Sequence, residues 1–317
     1  MKNILVVSYI PIVRKYDDKL FFSKYNNVVC ITPFGTSKMT RWLSVLLMYL
    51  DMASILFKVI FRNVDFSHYD LIIINEMKYP HLLVKWIRKN SNVKIVYQLW
   101  NTIDKIPKKK IVFFELYKIM KEYNCQICSF DKYDCDEYRL FRNNQFIPVL
   151  PQTREAIIYD VVFIGRDKGR SRYLAKVKKC INKAGFKCLF LLLDDKQHWI
   201  SYSDYDTSFL DGQKYLDYIQ VVKLLQQSKV ILDIVQHGQN GLTWRPIEAG
   251  IYNKKIITNY FNIVNEEIYD EKNVYILYKF DVESIRTFLR KNNCYHYKNV
   301  AIYTFDGWLD KISEEYL

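Results

Sequence analysis

Short apolar runs alternate with longer mixed segments along this chain, and that alternation constrains the fold more than any other feature of the sequence. Such a pattern is typical of α/β layers built on a parallel sheet. The first half contains five apolar runs that predict strands, at 3–9, 27–33, 70–76, 94–100 and 125–130. The segments between them predict helices near 39–62, 78–90 and 108–122. We therefore expect an α/β protein.

A second strand–helix series follows the stretch 143–155, which holds two prolines, lacks a helical period and predicts an interdomain linker. Strands are predicted at 159–165, 187–193, 230–235, 254–259 and 274–278, and helices at 170–184, 213–228, 244–252, 281–292 and 307–317. A chain of 317 residues exceeds what one hydrophobic core usually organises. We expect two Rossmann-like domains, 1–150 and 151–317, facing a cleft.

Positive charge is concentrated in the first half of the chain. The formal net charge is +13, and residues 1–150 carry 23 Lys and Arg against 13 Asp and Glu. A basic half indicates an anionic partner such as a phospholipid surface or a phosphorylated substrate. Aromatic–basic motifs typical of RNA binding are absent from the sequence, so we do not expect a nucleic acid partner.

The apolar segment 43–61 is nearly long enough to span a bilayer, but Asp51 and Lys58 interrupt it. Two interpretations stay open. The segment is either a core helix packed against the sheet, or a helix lying on a membrane face between Arg41, Trp42 and Arg62. Because Met1 leads directly into a predicted strand, we expect no signal peptide and a cytoplasmic protein.

The cysteines do not indicate a metal site or a disulfide framework. There are seven, and the Cys125–Cys128 pair is not followed by a second pair at zinc-ligand spacing. Reduced thiols of a cytoplasmic protein fit this pattern. No D-x-D motif is poised after a strand either, so we expect neither a metal nor any other cofactor.

The stretch "DVVFIGRDKGRSRYL" (160–174) is the first candidate site, because a strand ends in a charged turn before a helix. Helix N-termini favour anions, and Gly165 with Gly169 would allow close backbone approach. Arg166 and Lys168 could neutralise a diphosphate. The pattern is neither G-x-G-x-x-G nor a P-loop, which argues against a dinucleotide cofactor. A solvated surface turn is the alternative.

The second candidate site is "LDIVQHGQNGLTWRPIEAG", where a strand runs through a polar loop into a helix. Thr243 is a plausible N-cap and Pro246 lies near the first turn. Glu248 could accept hydrogen bonds from a ribose diol, or simply complement the helix dipole. Arg245 could bind phosphate or pair with Glu248. His237 is either a ligand contact or a core histidine.

The "GR…KG" turn, followed some seventy residues later by "GLTWRPIEAG…KKIIT", resembles GT-B glycosyltransferases that use sugar nucleotides. The likeness is greatest to bacterial enzymes of capsule and O-antigen (lipopolysaccharide) assembly, and "LWNTIDK" (99–105) and residues 128–146 are similar to them too. The resemblance implies the GT-B fold, with the C-terminal helix packing back towards the first domain. It also implies donor contacts at Gly165, Arg166, Lys168, Gln239, Gly241, Leu242, Thr243, Arg245 and Glu248.

Within that resemblance, Arg166 and Lys168 match the pair that contacts the donor diphosphate, and Glu248 matches the acid that holds the ribose. Gly241 and Thr243 match the loop under the phosphates and sugar. The chain departs from the family at Asn240, where retaining enzymes with a Glu-x7-Glu motif carry the first glutamate. Inversion or retention is therefore left open.

A transferase of this kind needs little covalent chemistry, because fixed cations and N–H groups can stabilise the leaving diphosphate without a metal. An inverting enzyme also needs a general base for the acceptor hydroxyl. The candidate bases are Glu76, Asp104 and His237, of which Glu76 is preferred. Trp100 and Asn101 are expected to contact acceptor or donor.

The favoured function is transfer of a sugar from a nucleoside-diphosphate sugar to a growing, lipid-linked surface polysaccharide at the inner face of the cytoplasmic membrane. One alternative is a GT-B-fold sugar-nucleotide epimerase, which needs histidines and carboxylates that the first half offers only at His68 and His81 and not at convincing strand tips. The other is a non-catalytic, basic membrane-binding module.

Overall fold

The structure is a computed structural model, and it describes residues 2–8, 28–31, 38–50, 52–77, 79–103, 107–152, 156–194, 196, 198–214, 216–236, 241–291 and 297–317. The chain forms two compact units. Unit 1 comprises Met1–Pro148 and Ile302–Leu317, and unit 2 comprises Val149–Ala301. The chain thus leaves unit 1 once and returns to it at its C-terminal end.

Unit 1 is built on a parallel sheet of six strands in the order β2-β1-β3-β4-β5-β6. The strands are β1 Ile4–Val7, β2 Val28–Ile31, β3 Leu71–Asn75, β4 Lys94–Gln98, β5 Cys125–Ser129 and β6 Phe141–Arg142. The helices are α1 Lys38–Tyr49, α2 Ala53–Ile60, α3 Pro80–Asn90, α4 Pro107–Glu122 and α5 Lys132–Tyr138. All of β1 and β3 is buried, as expected where both faces of a parallel sheet are covered.

Unit 2 contains a second six-stranded sheet, in the order β12-β11-β10-β7-β8-β9, in which only the β8–β9 pair is antiparallel. The strands are β7 Tyr159–Arg166, β8 Cys188–Leu193, β9 Trp199–Ser201, β10 Ser228–Asp233, β11 Lys255–Thr258 and β12 Val274–Ile276. The helices are α6 Ser171–Lys183, α7 Tyr218–Gln226, α8 Trp244–Ile251 and α9 Val282–Arg290. Read from β9, this is the doubly wound order 3-2-1-4-5-6, whose switch point lies between β7 and β10.

The last helix, α10 Phe305–Tyr316, packs on unit 1 as the sequence predicted. Trp308 is fully buried, with its ring centroid 4.8 Å from that of Phe146. Asn143 Nδ2 donates to the Trp308 carbonyl at 3.4 Å, and Lys94 Nζ donates to the Tyr316 carbonyl at 2.8 Å. Aromatic packing and these two bonds attach the C-terminal helix to unit 1.

Two details of the secondary structure differ from the sequence-based prediction. The single helix expected at 39–62 is two helices, α1 and α2, with Met52 as the N-cap of the second. The break lies between α1 and α2, inside an apolar segment that carries no glycine or proline, so apart from the one charge of Asp51 the sequence gave no sign of it. Strands β6 and β9 were missed because two and three residues are too short to show a period. No described helix is long and apolar enough to cross a membrane.

Candidate functional site

Strands β7 and β10 diverge at their carboxyl ends, and two arginines bridge the opening. The last paired residues are Val162 and Ile231. Beyond them, Arg245 donates to the Ile164 carbonyl through Nη2 at 2.9 Å and Nε at 3.2 Å. Arg170 donates to the Ile234 carbonyl through Nη1 at 2.5 Å. Each arginine follows one strand and binds the end of the other, so the pair holds open the switch point where α/β sheets bind ligands.

The turn between β7 and α6 presents two exposed cations beside this opening. Lys168 has φ +47° and Gly169 has φ +77°, both in the left-handed region, and the side chains of Arg166 and Lys168 are exposed. The Asp167 carboxylate accepts the Ser171 N–H at 2.7 Å and so caps α6. Arg170 binds the Asp167 carbonyl at 3.1 Å from inside the turn. The predicted phosphate turn is therefore tied to α6 by hydrogen bonds, with exposed side chains at Arg166 and Lys168.

Asp233 ends β10 at the bottom of the opening and is buried. Its two carboxylate oxygens accept the hydroxyls of Thr243 at 2.9 Å and Thr258 at 3.0 Å. Burial raises the pKa of Asp233, and the two hydroxyls and nearby arginines oppose that rise. Sequence reasoning missed this residue, although it is the one carboxylate at the end of an apolar strand run in the second candidate site.

The N-terminus of α8 faces the same region without a side-chain cap. Thr243 occupies the N-cap position, as predicted, but its hydroxyl binds Asp233 and no side chain among the described residues caps the helix. The first N–H groups of a helix and its dipole favour an anion. Gly241 and Leu242, which precede the cap, are buried.

Glu248 lies one turn into α8 and is fully buried. Its Oε2 pairs with Arg245 Nη1, so the structure shows the pairing role of Arg245 rather than a guanidinium left for phosphate. Glu248 Oε1 and the Tyr218 hydroxyl are both buried, and the two side chains lie close enough to interact. Burial raises the pKa of Glu248, with the Arg245 charge opposing it. The buried Glu248 carboxylate is therefore held between Arg245 and Tyr218.

In unit 1 the structure brings three predicted residues together at the end of β3. Glu76 Oε2 accepts the backbone N–H groups of Trp100 at 2.7 Å and Asn101 at 2.8 Å. Its Oε1 accepts Asn101 Nδ2 at 3.1 Å. The Glu76 carboxylate thus holds the turn after β4, a role that the sequence did not indicate. Asp104, His237 and Gln239 lie outside the described residues.

Buried polar side chains follow the strands of unit 1 along their carboxyl edge: Ser8, Asn75, Gln98, Ser129 and Asn143. Asn75 Nδ2 binds Ser8 Oγ at 3.1 Å, and Asn143 Nδ2 binds Gln98 Oε1 at 3.3 Å. The Oδ1 atoms of Asn75 and Asn143 have no partner among the described residues. Such a row suits hydroxyl-rich ligands, and its signal in the sequence is a polar residue directly after each apolar run.

The described cysteines are thiols and form no disulfide among themselves. Burial raises the pKa of the Cys128 and Cys135 thiols to about 12, which keeps them protonated at neutral pH. Within the described residues no group of His, Cys, Asp and Glu could hold a metal ion.

No protein-family model matches the chain, and no curated protein matches it in sequence. A UDP-GlcNAc 2-epimerase from Neisseria meningitidis, solved with UDP-GlcNAc, superposes with a TM-score of 0.51 at 10% identity over 99% of each chain. AviGT4, a glycosyltransferase of avilamycin A biosynthesis, gives 0.48 at 9% identity, over 100% of this chain and 97% of its own. S. aureus TarM gives 0.47 at 14% identity, over 78% of this chain and 52% of TarM. The predicted GT-B fold is confirmed.

Proposed function

We propose that this chain is a glycosyltransferase that uses a nucleoside-diphosphate sugar, and that the diphosphate binds at the switch point of unit 2. One observation carries the proposal: Arg166 and Lys168 are exposed in the turn after β7, and α8, which no described side chain caps, follows β10 at the same switch point. Two cations and a helix N-terminus are the groups that favour binding of a diphosphate.

The same groups support the chemistry of transfer. As the glycosidic bond breaks, positive charge develops on the sugar and negative charge on the leaving diphosphate. Arg166, Lys168 and the first N–H groups of α8 would stabilise that negative charge without moving, which is the main requirement of the step. Arg170 and Arg245 bind backbone carbonyls, so we assign them to holding the site open.

Glu248 is the proposed ribose acceptor, supported by its place one turn into α8, the helix that follows β10 at the switch point. Because the carboxylate is fully buried, a ribose contact requires the side chains that cover it to rearrange. The epimerase of the same fold was solved with UDP-GlcNAc, so a uridine diphosphate sugar is the first donor to test.

The finer assignments are also proposals. We propose a lipid-linked surface polysaccharide as acceptor at the inner face of the cytoplasmic membrane, supported by the basic first half of the chain. We propose metal-independent transfer, because the protein's own cations can neutralise the diphosphate. Glu76 is the proposed general base, supported by its place at the carboxyl edge of the unit 1 sheet.

The direct test is UDP release from a panel of UDP-sugars, with and without bacterial lipid extract as acceptor. We expect acceptor-dependent release that persists in EDTA and falls at least about 100-fold in Arg166→Ala, because the removed cation stabilises the transition state. Lys176→Ala removes an equally exposed cation from α6 and should retain activity. Isomerisation of the sugar nucleotide without UDP release would replace the transferase by an epimerase.

A further inference from the structure

Helices α1 and α2 of unit 1 expose apolar side chains where a helix in water would expose polar ones. The exposed residues are Met39, Trp42, Leu43, Tyr49, Leu50, Met52, Ile55 and Val59, with Trp42 and Val59 each 65% exposed. Among the described side chains of α1, the fully buried one is the small polar Ser44. This pattern is the reverse of an ordinary surface helix, and contiguous apolar patches of this kind mark interaction surfaces.

The outward face of α2 is fixed by the packing of its other side. Ala53 and Phe57 are buried in the unit 1 core, and the Phe57 ring centroid lies 5.7 Å from that of Trp86. On the opposite side Met52, Ile55 and Val59 are spaced i, i+3 and i+7 and form one stripe. Burial of Ala53 and Phe57 sets the rotation of α2 about its axis. The exposure of Met52, Ile55 and Val59 follows from that rotation.

Two exposed cations, Lys58 and Arg62, lie beside this stripe. Both line an open cavity of about 420 Å³ whose wall includes Phe61, Phe66, Trp86 and Asn90. The acid at its rim, Asp65, already accepts the N–H and hydroxyl of Ser67 and contacts His68. Residues 38–64 contain four Lys and Arg, Lys38 included, but a single acid, Asp51. The surface thus combines apolar residues with an excess of positive charge.

We propose that the face formed by α1 and α2 docks on an anionic lipid bilayer. The apolar stripe enters the interfacial layer, Trp42 and Tyr49 lie at headgroup level, and Lys58 and Arg62 bind lipid phosphates at the cavity. The surface is both apolar and positively charged. A bilayer with anionic headgroups is complementary to both properties, because it offers an apolar layer and negative charge. The proposal goes beyond the transferase function and needs no nucleotide.

Sedimentation with vesicles tests it, using phosphatidylcholine alone and phosphatidylcholine mixed with phosphatidylglycerol. Wild type should pellet with the mixed vesicles and much less with the neutral ones. Ile55→Ser/Val59→Ser should lower the partition coefficient at least about tenfold through lost apolar burial. Lys58→Gln/Arg62→Gln should lower it about tenfold or more, on the mixed vesicles only.

Matched controls come from unit 2. Ile219→Ser/Val264→Ser replaces similarly exposed apolar residues and is the control for the apolar variant. Lys176→Gln/Lys179→Gln removes two lysines of α6 and is the control for the charge variant. Both control variants should pellet with vesicles like wild type. Melting temperatures and UDP binding of each variant verify folding and keep this test separate from the donor site. Equal binding of wild type to both vesicle types, or undiminished binding of the α1–α2 variants, overturns the proposal. So does a dimer, detected by light scattering, that Ile55→Ser/Val59→Ser dissociates.

Discussion

Asp233 and Glu248 are two carboxylates buried in one small region of unit 2, together with Arg170 and Arg245. Burying a charged group costs free energy. Ion pairing between these carboxylates and arginines offsets only part of that cost. Such groups are typically retained where a ligand or a reaction needs them. At the residue scale, the charge arrangement itself marks this region as the site.

Glu248→Gln tests the cost of that burial. Because burial raises the pKa of Glu248 above 4.5, the wild-type side chain is neutral in both folded and unfolded states at lower pH. As pH rises through the folded-state pKa, the folded protein must ionise a buried group, at about 1.4 kcal/mol per unit of pKa shift. Wild type should therefore lose stability relative to Glu248→Gln between acid and neutral pH, as measured by paired melting curves.

The opposite trend would mean that the Arg245 charge outweighs burial and that the pKa of Glu248 is lowered. A constant difference in melting temperature across the pH range would mean that the carboxyl does not titrate differently on folding. Either result would contradict a raised pKa for Glu248.

The sequence predicted the N-cap position of Thr243, which its own local segment determines. It assigned no role to Asp167, which caps its own helix through the Ser171 N–H. Arg170 and Asp233 were not assigned, because their partners come from neighbouring strands that are distant in sequence. Arg170, for example, binds the carbonyl of Ile234, 64 positions away. Sheet order decides such contacts, and single-residue chemistry does not reveal it.

At the scale of elements, α8 is held in place by a glycine on its buried side. A Cβ on Gly250 would lie 2.6 Å from Ile268 Cδ1 and 2.9 Å from Val300 Cγ1, both too close for real side chains. Close packing of the helix that carries Arg245 and Glu248 therefore requires glycine at this position.

Gly250→Ala should destabilise unit 2 by about 1–3 kcal/mol through overpacking. Ile268→Val removes the nearest clashing atom, so the double variant should be more stable than the sum of the single changes predicts. Urea unfolding of the three variants provides the comparison. Strict additivity would show that Ile268 does not form the wall against which α8 packs.

Element prediction worked where apolar runs were four residues or longer and bounded by polar segments. All described strands except β6 and β9 were found for that reason, as β3 and β10 illustrate. The break between α1 and α2 was missed because apolar residues on both sides gave a continuous pattern. In the structure, both helices accordingly expose apolar side chains.

At the scale of the whole molecule, each unit has its own core, and α10 belongs to the first. Trp308→Ala should cost about 3–5 kcal/mol, because it removes a fully buried aromatic side chain. Hydrogen exchange should become faster in β1 and β3 and stay unchanged in β10 and β11. Equal acceleration in β10 would contradict the assignment of α10 to unit 1.

The central claim is that a nucleoside diphosphate binds where β7 and β10 diverge, and calorimetric titration of UDP tests it most directly. Wild type should bind UDP, and Arg166→Ala/Lys168→Ala should bind at least about tenfold more weakly, since two charge-assisted contacts are lost. Lys176→Ala/Lys179→Ala, with the same change in net charge, should bind like wild type. Unchanged affinity in the first variant, or no binding of UDP or any other nucleoside diphosphate to wild type, would contradict the claim.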